Sequence, residues 1–208
     1  MNARRAAVIF VACIALLAGG LGAFVVFGSR GTSPSFSGVD VTGAPWGRDF
    51  ALTDHRGRPR TLADFRGKVV ALTFGYTQCP DMCPTTLAML GDSVRRLGPD
   101  AGRVQVLFAT VDPARDTQDL LSRYVPAFHP DFLGLHGDAA ATQRAADEFK
   151  VYFRAQAPDV HGSYSVDHSG QVFVFDTQGR LRLYVKADAS PPDAVARDLR
   201  RLLNEGRG

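Results

Sequence analysis

An apolar segment that runs into a pair of cysteines decides the fold: Val69-Val70-Ala71-Leu72-Thr73-Phe74-Gly75-Tyr76-Thr77-Gln78-Cys79-Pro80-Asp81-Met82-Cys83-Pro84. Residues 69–76 form a continuous apolar run with the length of a buried β-strand. The apolar residues that follow recur at helical spacing and predict a helix over 84–97; they are Leu87, Leu90, Val94 and Leu97. A cysteine pair at such a strand-to-helix junction lies where α/β sheets place their ligands.

The remaining patterns predict a sheet flanked by helices. Val104 to Val111 is a second continuous apolar strand, and it ends at Asp112-Pro113. Periodicity and turn residues predict the other elements: helices over 117–124, 139–149 and 191–203, a short strand over 151–153, and hairpins joining 50–53 to 59–62 and 171–176 to 181–185. Strands that alternate with helices before a late hairpin indicate an α/β fold with a central mixed sheet.

The N-terminal residues have the pattern of a membrane anchor. Arg4 and Arg5 precede an uninterrupted apolar run over 7–27. At ~1.5 Å per residue this run gives about 31 Å of helix, enough to cross a bilayer. The alternative is a cleaved signal peptide, whose apolar region is usually only about 7–15 residues long. We therefore predict four parts: a cytoplasmic segment at 1–6, a transmembrane anchor at 7–27, a flexible linker at 28–42 and a single domain at 43–208.

The charges beside this run predict where the domain lies. Positive residues before a transmembrane helix keep the N-terminus in the cytoplasm. We therefore expect a single-pass protein of the cytoplasmic (inner) membrane, with its domain on the periplasmic or extracytoplasmic side, where thiols tend to oxidise. The net charge is +3 and no basic run is interleaved with aromatic residues, so nucleic-acid binding is not expected.

The domain contains just two cysteines, Cys79 and Cys83, too few for a disulfide scaffold. Thiols four residues apart on a forming helix share a face, so this pair can close a disulfide or hold one soft metal ion. A bridge across so short a loop constrains the unfolded chain very little, which disfavours a purely structural disulfide. The emerging helix N-terminus is expected to favour the thiolate form.

Four segments together resemble the Sco (SenC-type) copper-binding proteins: Arg66-Gly67-Lys68-Val69, Phe74-Gly75-Tyr76-Thr77-Gln78-Cys79-Pro80-Asp81-Met82-Cys83-Pro84, Val111-Asp112-Pro113-Ala114-Arg115-Asp116-Thr117, and Tyr164-Ser165-Val166-Asp167-His168-Ser169-Gly170. The resemblance extends from about Gly43 to Leu203. It implies a membrane-anchored protein with a thioredoxin-like fold that assists assembly of the dicopper CuA centre of cytochrome c oxidase. One departure is Gln78, where many relatives carry a histidine that is not a usual copper ligand.

The resemblance also implies a ligand set. Cys79 and Cys83 supply two sulfurs and His168 the third ligand of one copper ion, Cu(I) or Cu(II), for which thiolate and imidazole donors are suited. The implied partner is the cytochrome c oxidase subunit that carries the CuA site, with other copper chaperones or thiol reductants as further candidates. Taken alone, His168 also fits a hydrogen-bonded turn histidine beside Asp167.

Two further residues near these motifs, Asp112 and Met82, allow two interpretations each. Asp112 either caps the strand end or orients the copper ligands and handles protons near the thiols. Met82 offers a thioether, although contact with a partner or the core is favoured. The remaining histidines, of which His161 is the reserve ligand, are expected in solvated loops; they are His55, His129, His136 and His161.

Two functions remain open at this point. The first is a copper chaperone in which oxidation of the redox-active pair Cys79 and Cys83 removes both sulfur ligands. The second is a membrane-anchored thiol-disulfide oxidoreductase that reduces cysteines of exported proteins such as the CuA site, with Cys79 as the attacking thiol. His168 favours the first, because a dithiol reductase needs no imidazole opposite its cysteines. The Cys-x-x-x-Cys spacing also favours metal, since reductases of this fold normally use Cys-x-x-Cys.

Overall fold

An eight-stranded mixed sheet forms the centre of the computed structural model, which describes residues 35–206. The strands are β1 (Val39–Asp40), β2 (Leu52–Asp54), β3 (Pro59–Arg60), β4 (Val69–Gly75), β5 (Val104–Thr110), β6 (Leu133–His136), β7 (Phe153–Ala155), β8 (Val166–His168), β9 (Gln171–Phe175) and β10 (Leu181–Lys186). The order in the sheet is β1-β10-β9-β4-β5-β6-β2-β3, and β7 and β8 form a separate two-stranded ribbon.

Four α-helices accompany the sheet in the described residues: α1 (Met82–Arg95), α2 (Gln118–Tyr124), α3 (Ala139–Glu148) and α4 (Pro192–Glu205). Short 3₁₀ turns cover Leu62–Phe65, Gly98–Arg103, Val125–Ala127 and Ala187–Ala189. Helices α1, α2 and α4 contribute to one buried cluster, where Leu87, Leu121 and Leu199 are fully buried. Helix α3 contributes to a second cluster, rich in aromatic rings such as Phe74, Phe149 and Phe173. This confirms the predicted thioredoxin-like α/β fold with a central mixed sheet flanked by helices.

The pairing of β4 determines where the site lies. β4 runs parallel to β5 over its whole length, from Val69 opposite Val104 to Gly75 opposite Thr110. On its other side it pairs antiparallel with β9. Every residue of β4 and β5 is buried, in agreement with the continuous apolar runs in the sequence. Because parallel strands end at the same edge, the loops after Gly75 and Thr110 emerge side by side.

Two predicted elements begin elsewhere than expected. The helix predicted from residue 84 begins at Met82, so Cys83 lies inside it. The short strand expected over 151–153 is wrong by two residues, because Lys150 adopts a left-handed backbone (φ 55) and Val151 is buried in the core. Strand β7 starts at Phe153 and pairs with β8. The two hairpins, β2–β3 and β9–β10, are confirmed.

The folded domain begins before the predicted boundary at residue 43. β1 is an edge strand on β10, and Ser37 and Gly38 donate hydrogen bonds to the buried carboxylate of Asp198. The last part of the expected linker is therefore held by the sheet and α4. Among residues 35–206, no helix is both long enough and apolar enough to span a bilayer. The predicted segments 1–6 and 7–27 lie outside the described residues.

Candidate metal centre

Three side chains predicted from the sequence converge at one point. One donor atom from each of Cys79, Cys83 and His168 lies within 4.8 Å of the other two. The closest approach joins the Nε2 atom of His168 to the Sγ atom of Cys83, at 3.4 Å. Cys83 is buried, whereas Cys79 and His168 are partly accessible. The group is therefore open to solvent on the side of Cys79 and His168 and closed behind Cys83.

The two cysteines are not on one helix face, which corrects the sequence argument. Helix α1 begins at Met82 with Asp81 at its N-cap position, so Cys79 precedes the helix. Its backbone N–H donates to the Tyr76 carbonyl at 3.2 Å and closes a turn at the end of β4. Pro80 disfavours helical backbone at the residue before it, which explains why Cys79 is outside the helix. The thiols meet because this turn folds back against the first turn of α1.

A glycine makes room for the buried thiol. Gly75 is the last residue of β4, and a Cβ atom added there would lie 2.5 Å from the Sγ of Cys83 and 2.8 Å from the ring of Phe108. Real Cβ atoms essentially never approach other atoms so closely. The Cys83 sulfur therefore occupies space that any larger residue at position 75 would take.

The electrostatics of Cys83 differ from the expectation that the helix N-terminus favours its thiolate. Burial raises the pKa of the Cys83 thiol far above its ordinary value, against a smaller lowering effect of a hydrogen bond from the Tyr76 backbone. The negative charge that Cys79 and Asp116 can carry raises this pKa further. In the metal-free protein Cys83 is thus a neutral thiol at neutral pH, and a bound cation has to displace its proton.

His168 ends strand β8 and reaches the thiols from the ribbon. Its Nδ1 atom lies 3.1 Å from the Ser169 carbonyl oxygen. A carbonyl can only accept, so the proton is on Nδ1 and the lone pair of Nε2 faces Cys83. The Tyr76 ring packs edge-on against the imidazole, with centroids 5.7 Å apart. His168 therefore ends a strand and directs a ring nitrogen at the Cys83 thiol.

Asp116 holds the cysteine turn, a role that the sequence analysis missed. This buried carboxylate accepts hydrogen bonds from the Thr77 amide (3.0 Å), the Thr77 hydroxyl (2.6 Å) and the Thr110 hydroxyl (2.6 Å). It thereby fastens the loop after β4 to the end of β5. The available signal was the position of Asp116 just after the apolar strand, since neighbouring parallel strands end at the same edge.

Asp112 is buried beside the site, and its carboxylate forms an ion pair with Arg115. It also accepts a hydrogen bond from the Tyr164 hydroxyl at 2.9 Å. Its backbone carbonyl accepts from the amides of Arg115 and Asp116, as expected of a residue that caps a turn. The turn role of Asp112 is thus observed. Its side chain contacts Arg115 and Tyr164 and not the thiols, so a role in orienting copper ligands stays a prediction.

The remaining candidates lie around the group. Met82 is exposed at the start of α1, and its thioether packs directly over Gly170. His161 is exposed in the loop 156–165 and is not among the three clustered donors. The expectation of a solvated loop is wrong for His55 and His136. His55 is buried and accepts a hydrogen bond from the Gly134 amide at its Nδ1 atom, and His136 ends strand β6 with its Nε2 atom buried.

Comparison with known proteins identifies the family of this chain. The family model described as SCO1/SenC matches residues 40–204. The chain belongs to the SCO1/SenC family. Among curated SCO1/SenC relatives, the bovine mitochondrial SCO2 homolog is 47% identical over 138 residues, which cover 65% of this chain and 52% of the relative. The chain spans about half the length of the first curated relatives that it matches.

Solved structures of SCO1/SenC relatives share the fold over most of their length. Apo Sco1 from Thermus thermophilus is 42% identical with a TM-score of 0.73, and the match covers 83% of this chain and 99% of that protein. ScoI from Bradyrhizobium japonicum, solved with copper bound, is 35% identical with a TM-score of 0.69 over 74% of this chain and 97% of that one.

Proposed function

We propose that this protein is a copper chaperone that carries one copper ion between Cys79, Cys83 and His168. The observation that carries the proposal is the convergence of two sulfurs and one imidazole nitrogen within 4.8 Å. Two thiolates and an imidazole are soft and borderline donors that suit copper, whereas calcium and magnesium prefer oxygen ligands. Bradyrhizobium ScoI, a relative of this chain, was solved with copper bound.

The unequal burial of the donors fits a carrier. Cys83 is buried and supplies a fixed inner sulfur, while Cys79 is partly accessible. An acceptor thiolate can approach from the side of Cys79 and replace its sulfur on the ion before Cys83 and His168 release it. Ligand exchange of this kind keeps the copper coordinated throughout the transfer. The hydrogen bond to the Ser169 carbonyl fixes the His168 ring, so its Nε2 atom can bind copper both when the ion arrives and when it leaves.

Redox state gates this copper loading. Joining the two sulfurs into a disulfide releases two protons and two electrons to an oxidant and removes both thiolate ligands. One imidazole then remains, which is a weak site for a soft ion. A reductant that returns two electrons and two protons restores the dithiol and the capacity for copper. The carrier is thus active when Cys79 and Cys83 are reduced.

We infer that the acceptor is the CuA site of the cytochrome c oxidase subunit, as the family resemblance implies. An anchor at 7–27 in the cytoplasmic membrane, with the domain on the extracytoplasmic side, places the carrier beside a membrane-embedded acceptor. Other copper chaperones or thiol reductants load or reduce the site. This part of the proposal rests on the resemblance and on the N-terminal sequence pattern.

A second candidate function is thiol-disulfide exchange with the CuA cysteines. The observation in its favour is again the asymmetry of the pair, since Cys79 is accessible to attack a disulfide and Cys83 is close enough to resolve the mixed disulfide. Cys83 requires its proton to be removed before it can resolve, because burial raises its pKa. His168 has no assigned role in this reaction, so the carrier is favoured.

One transfer experiment separates the two functions. The reduced protein is loaded with one Cu(I), mixed anaerobically with a fully reduced apo CuA domain, and copper on each protein is measured after separation. A carrier transfers copper although no disulfide is present to reduce. Transfer from wild type, but not from the Cys79→Ser and Cys83→Ser variants, supports the chaperone. No transfer, together with reduction of an oxidised CuA domain by the copper-free protein, contradicts it.

A further inference from the structure

Arg115 joins segments that come from three parts of the chain. Its guanidinium pairs with the buried carboxylate of Asp112 at the end of β5. The Nη1 atom donates to the side-chain oxygen of Gln78 at 3.1 Å and to the backbone carbonyl of Tyr164 at 2.7 Å. Gln78 directly precedes Cys79, and Tyr164 precedes strand β8, which carries His168.

Aromatic contacts strengthen the same junction. The guanidinium carbon lies 3.5 Å from the centroid of the Tyr164 ring, and the Tyr164 hydroxyl donates to Asp112. The same carbon lies 5.6 Å from the centroid of Tyr76, whose ring packs against the imidazole of His168. A cation is attracted to the face of an aromatic ring, and the attraction is stronger where burial excludes water. The side chain of Arg115 is 17% exposed, so water weakens these contacts little.

The β7–β8 ribbon needs such a fastening. It has two strands of three residues each and is separate from the eight-stranded sheet. An isolated two-stranded hairpin is at best marginally stable in water. Its loop, residues 156–165, is exposed apart from Tyr164. Val166 of β8 is buried in the core and also holds the ribbon, while the thiol turn is held by the hydrogen bonds from Thr77 to Asp116. Loss of Arg115 therefore loosens the imidazole side of the site more than the thiol side.

We propose that Arg115 is a positioning residue that clamps the β7–β8 ribbon against the cysteine turn and so keeps His168 within ligand distance of Cys83. It does this without touching the copper, through Tyr164 on the ribbon side and through Gln78 and Tyr76 on the thiol side. A lysine cannot replace it, because a single ammonium lacks the planar fork that reaches Asp112, Gln78 and Tyr164 together. The copper part of this inference rests on the proposed function, whereas the clamp does not.

The first test uses the reduced, metal-free protein. Hydrogen–deuterium exchange followed by mass spectrometry compares wild type with Arg115→Met and with Arg123→Met, a control whose exposed ion pair with Asp119 stays within α2. Arg115→Met is expected to speed exchange in residues 153–168 and to leave 69–75 and 104–110 protected. Equal exchange over 153–168 in all three proteins would overturn the clamp. If Arg115→Met does not fold, Arg115→Lys is expected to show the same change to a smaller degree.

The second test asks whether Arg115 acts through His168. Competition with a Cu(I) chelator is expected to show copper held about 10–100-fold more weakly by Arg115→Met, the range found when a partner that orients a ligand is removed. In a His168→Ala background the same substitution should cost almost nothing further. An equal cost in both backgrounds, or wild-type affinity in Arg115→Met, would overturn the inference. If wild type itself holds no copper, the proposed function fails while the exchange result still decides the clamp.

Discussion

The Nε2 atom of His168 lies 3.4 Å from the Sγ atom of Cys83, although 85 positions separate the two residues in the sequence. The contact joins the β7–β8 ribbon to the first turn of α1. The ribbon supplies a nitrogen with its lone pair directed at the thiols, and the sheet edge supplies the two sulfurs. Arg115 attaches the ribbon to the rest of the site, and Asp116 attaches the cysteine turn.

Substitution of His168 tests the third ligand. Loss of an orienting partner costs about 10–100-fold in metal affinity, so loss of the ligand itself in His168→Ala should weaken copper binding by at least ~100-fold. Disulfide formation between Cys79 and Cys83 should remain. Chelator competition measures the first and a free-thiol assay the second. His161→Ala, at an exposed histidine outside the cluster, is the matched control. Equal copper affinity in His168→Ala and wild type would remove His168 from the site.

The two thiols should react at very different rates in the metal-free protein. Cys79 is partly accessible, whereas Cys83 is 3% exposed and burial raises its pKa. Alkylation near neutral pH is therefore expected to label Cys79 first, because the thiolate is the reactive species. Mass spectrometry of peptides after a short pulse of iodoacetamide measures the order. In denaturant both residues should react alike; faster labelling of Cys83 in the folded protein would contradict the geometry.

Space beside Cys83 depends on Gly75. The added methyl group in Gly75→Ala collides with the Cys83 sulfur and the Phe108 ring, so we expect a loss of about 1–3 kcal/mol in the free energy of unfolding, as for other overpacked cores. Copper binding should weaken as well, because Cys83 has to move. Gly102→Ala is the control, since a Cβ there meets no atom within 4 Å. Denaturant unfolding compares the two, and similar stabilities would contradict this prediction.

Acid should weaken the fold through Asp176, a buried carboxylate in the β9–β10 turn. Burial alone raises the pKa of Asp176, but hydrogen bonds from the Arg180 and Gln178 amides and the Arg180 side chain outweigh it and leave this pKa below its ordinary value. The folded state thus favours the ionised form. The resulting stability is present above the unfolded pKa, about 3.9, and is lost as pH falls through the lower folded pKa.

The variant Asp176→Asn makes that pH dependence measurable. At pH 7 we expect it to lose about 1–3 kcal/mol in the free energy of unfolding, because two backbone amides lose a charged acceptor. The difference from wild type should shrink as pH falls below about 4, where Asp176 of the unfolded chain is protonated, and should go on shrinking until the folded carboxylate is protonated at lower pH. Asp188→Asn, at an exposed position, should follow wild type throughout. A difference that stays constant from pH 7 to pH 3 would show that the charge of Asp176 contributes nothing.

Apolar patterns in the sequence were sufficient for the centre of the sheet and its core, but they did not predict strands β1 and β6. The runs that became β4 and β5 are fully buried, and both hairpins lie where turn residues indicate them. The ribbon was harder to predict, because β7 and β8 have three residues each and exposed polar side chains among them. A pair of strands so short carries no alternating pattern, and its position depends on contacts with the rest of the domain.

The residues of the candidate site were predicted from the sequence, but their arrangement was predicted only in part. Family resemblance brought Cys79, Cys83 and His168 together, and the structure places them in one group. The argument that both thiols share a helix face failed, because Pro80 disfavours helical backbone at Cys79 and the helix begins at Met82. The thiolate expectation failed for Cys83, because burial raises the pKa of its thiol more than the hydrogen bond from the Tyr76 backbone lowers it. Arg115 and Asp116 were missed, since their contacts cross between loops that only the parallel pairing of β4 and β5 makes neighbours.

Copper stoichiometry in the two redox states tests the central claim most directly. The domain from Ser29 onward is titrated anaerobically with Cu(I) against a chelator, first with Cys79 and Cys83 reduced, then oxidised, then reduced again. The account predicts one tightly held copper per domain in the reduced form, its loss on oxidation and its return on reduction. Absence of copper from the reduced protein, or equal binding in both redox states, would contradict a carrier built on these two thiols.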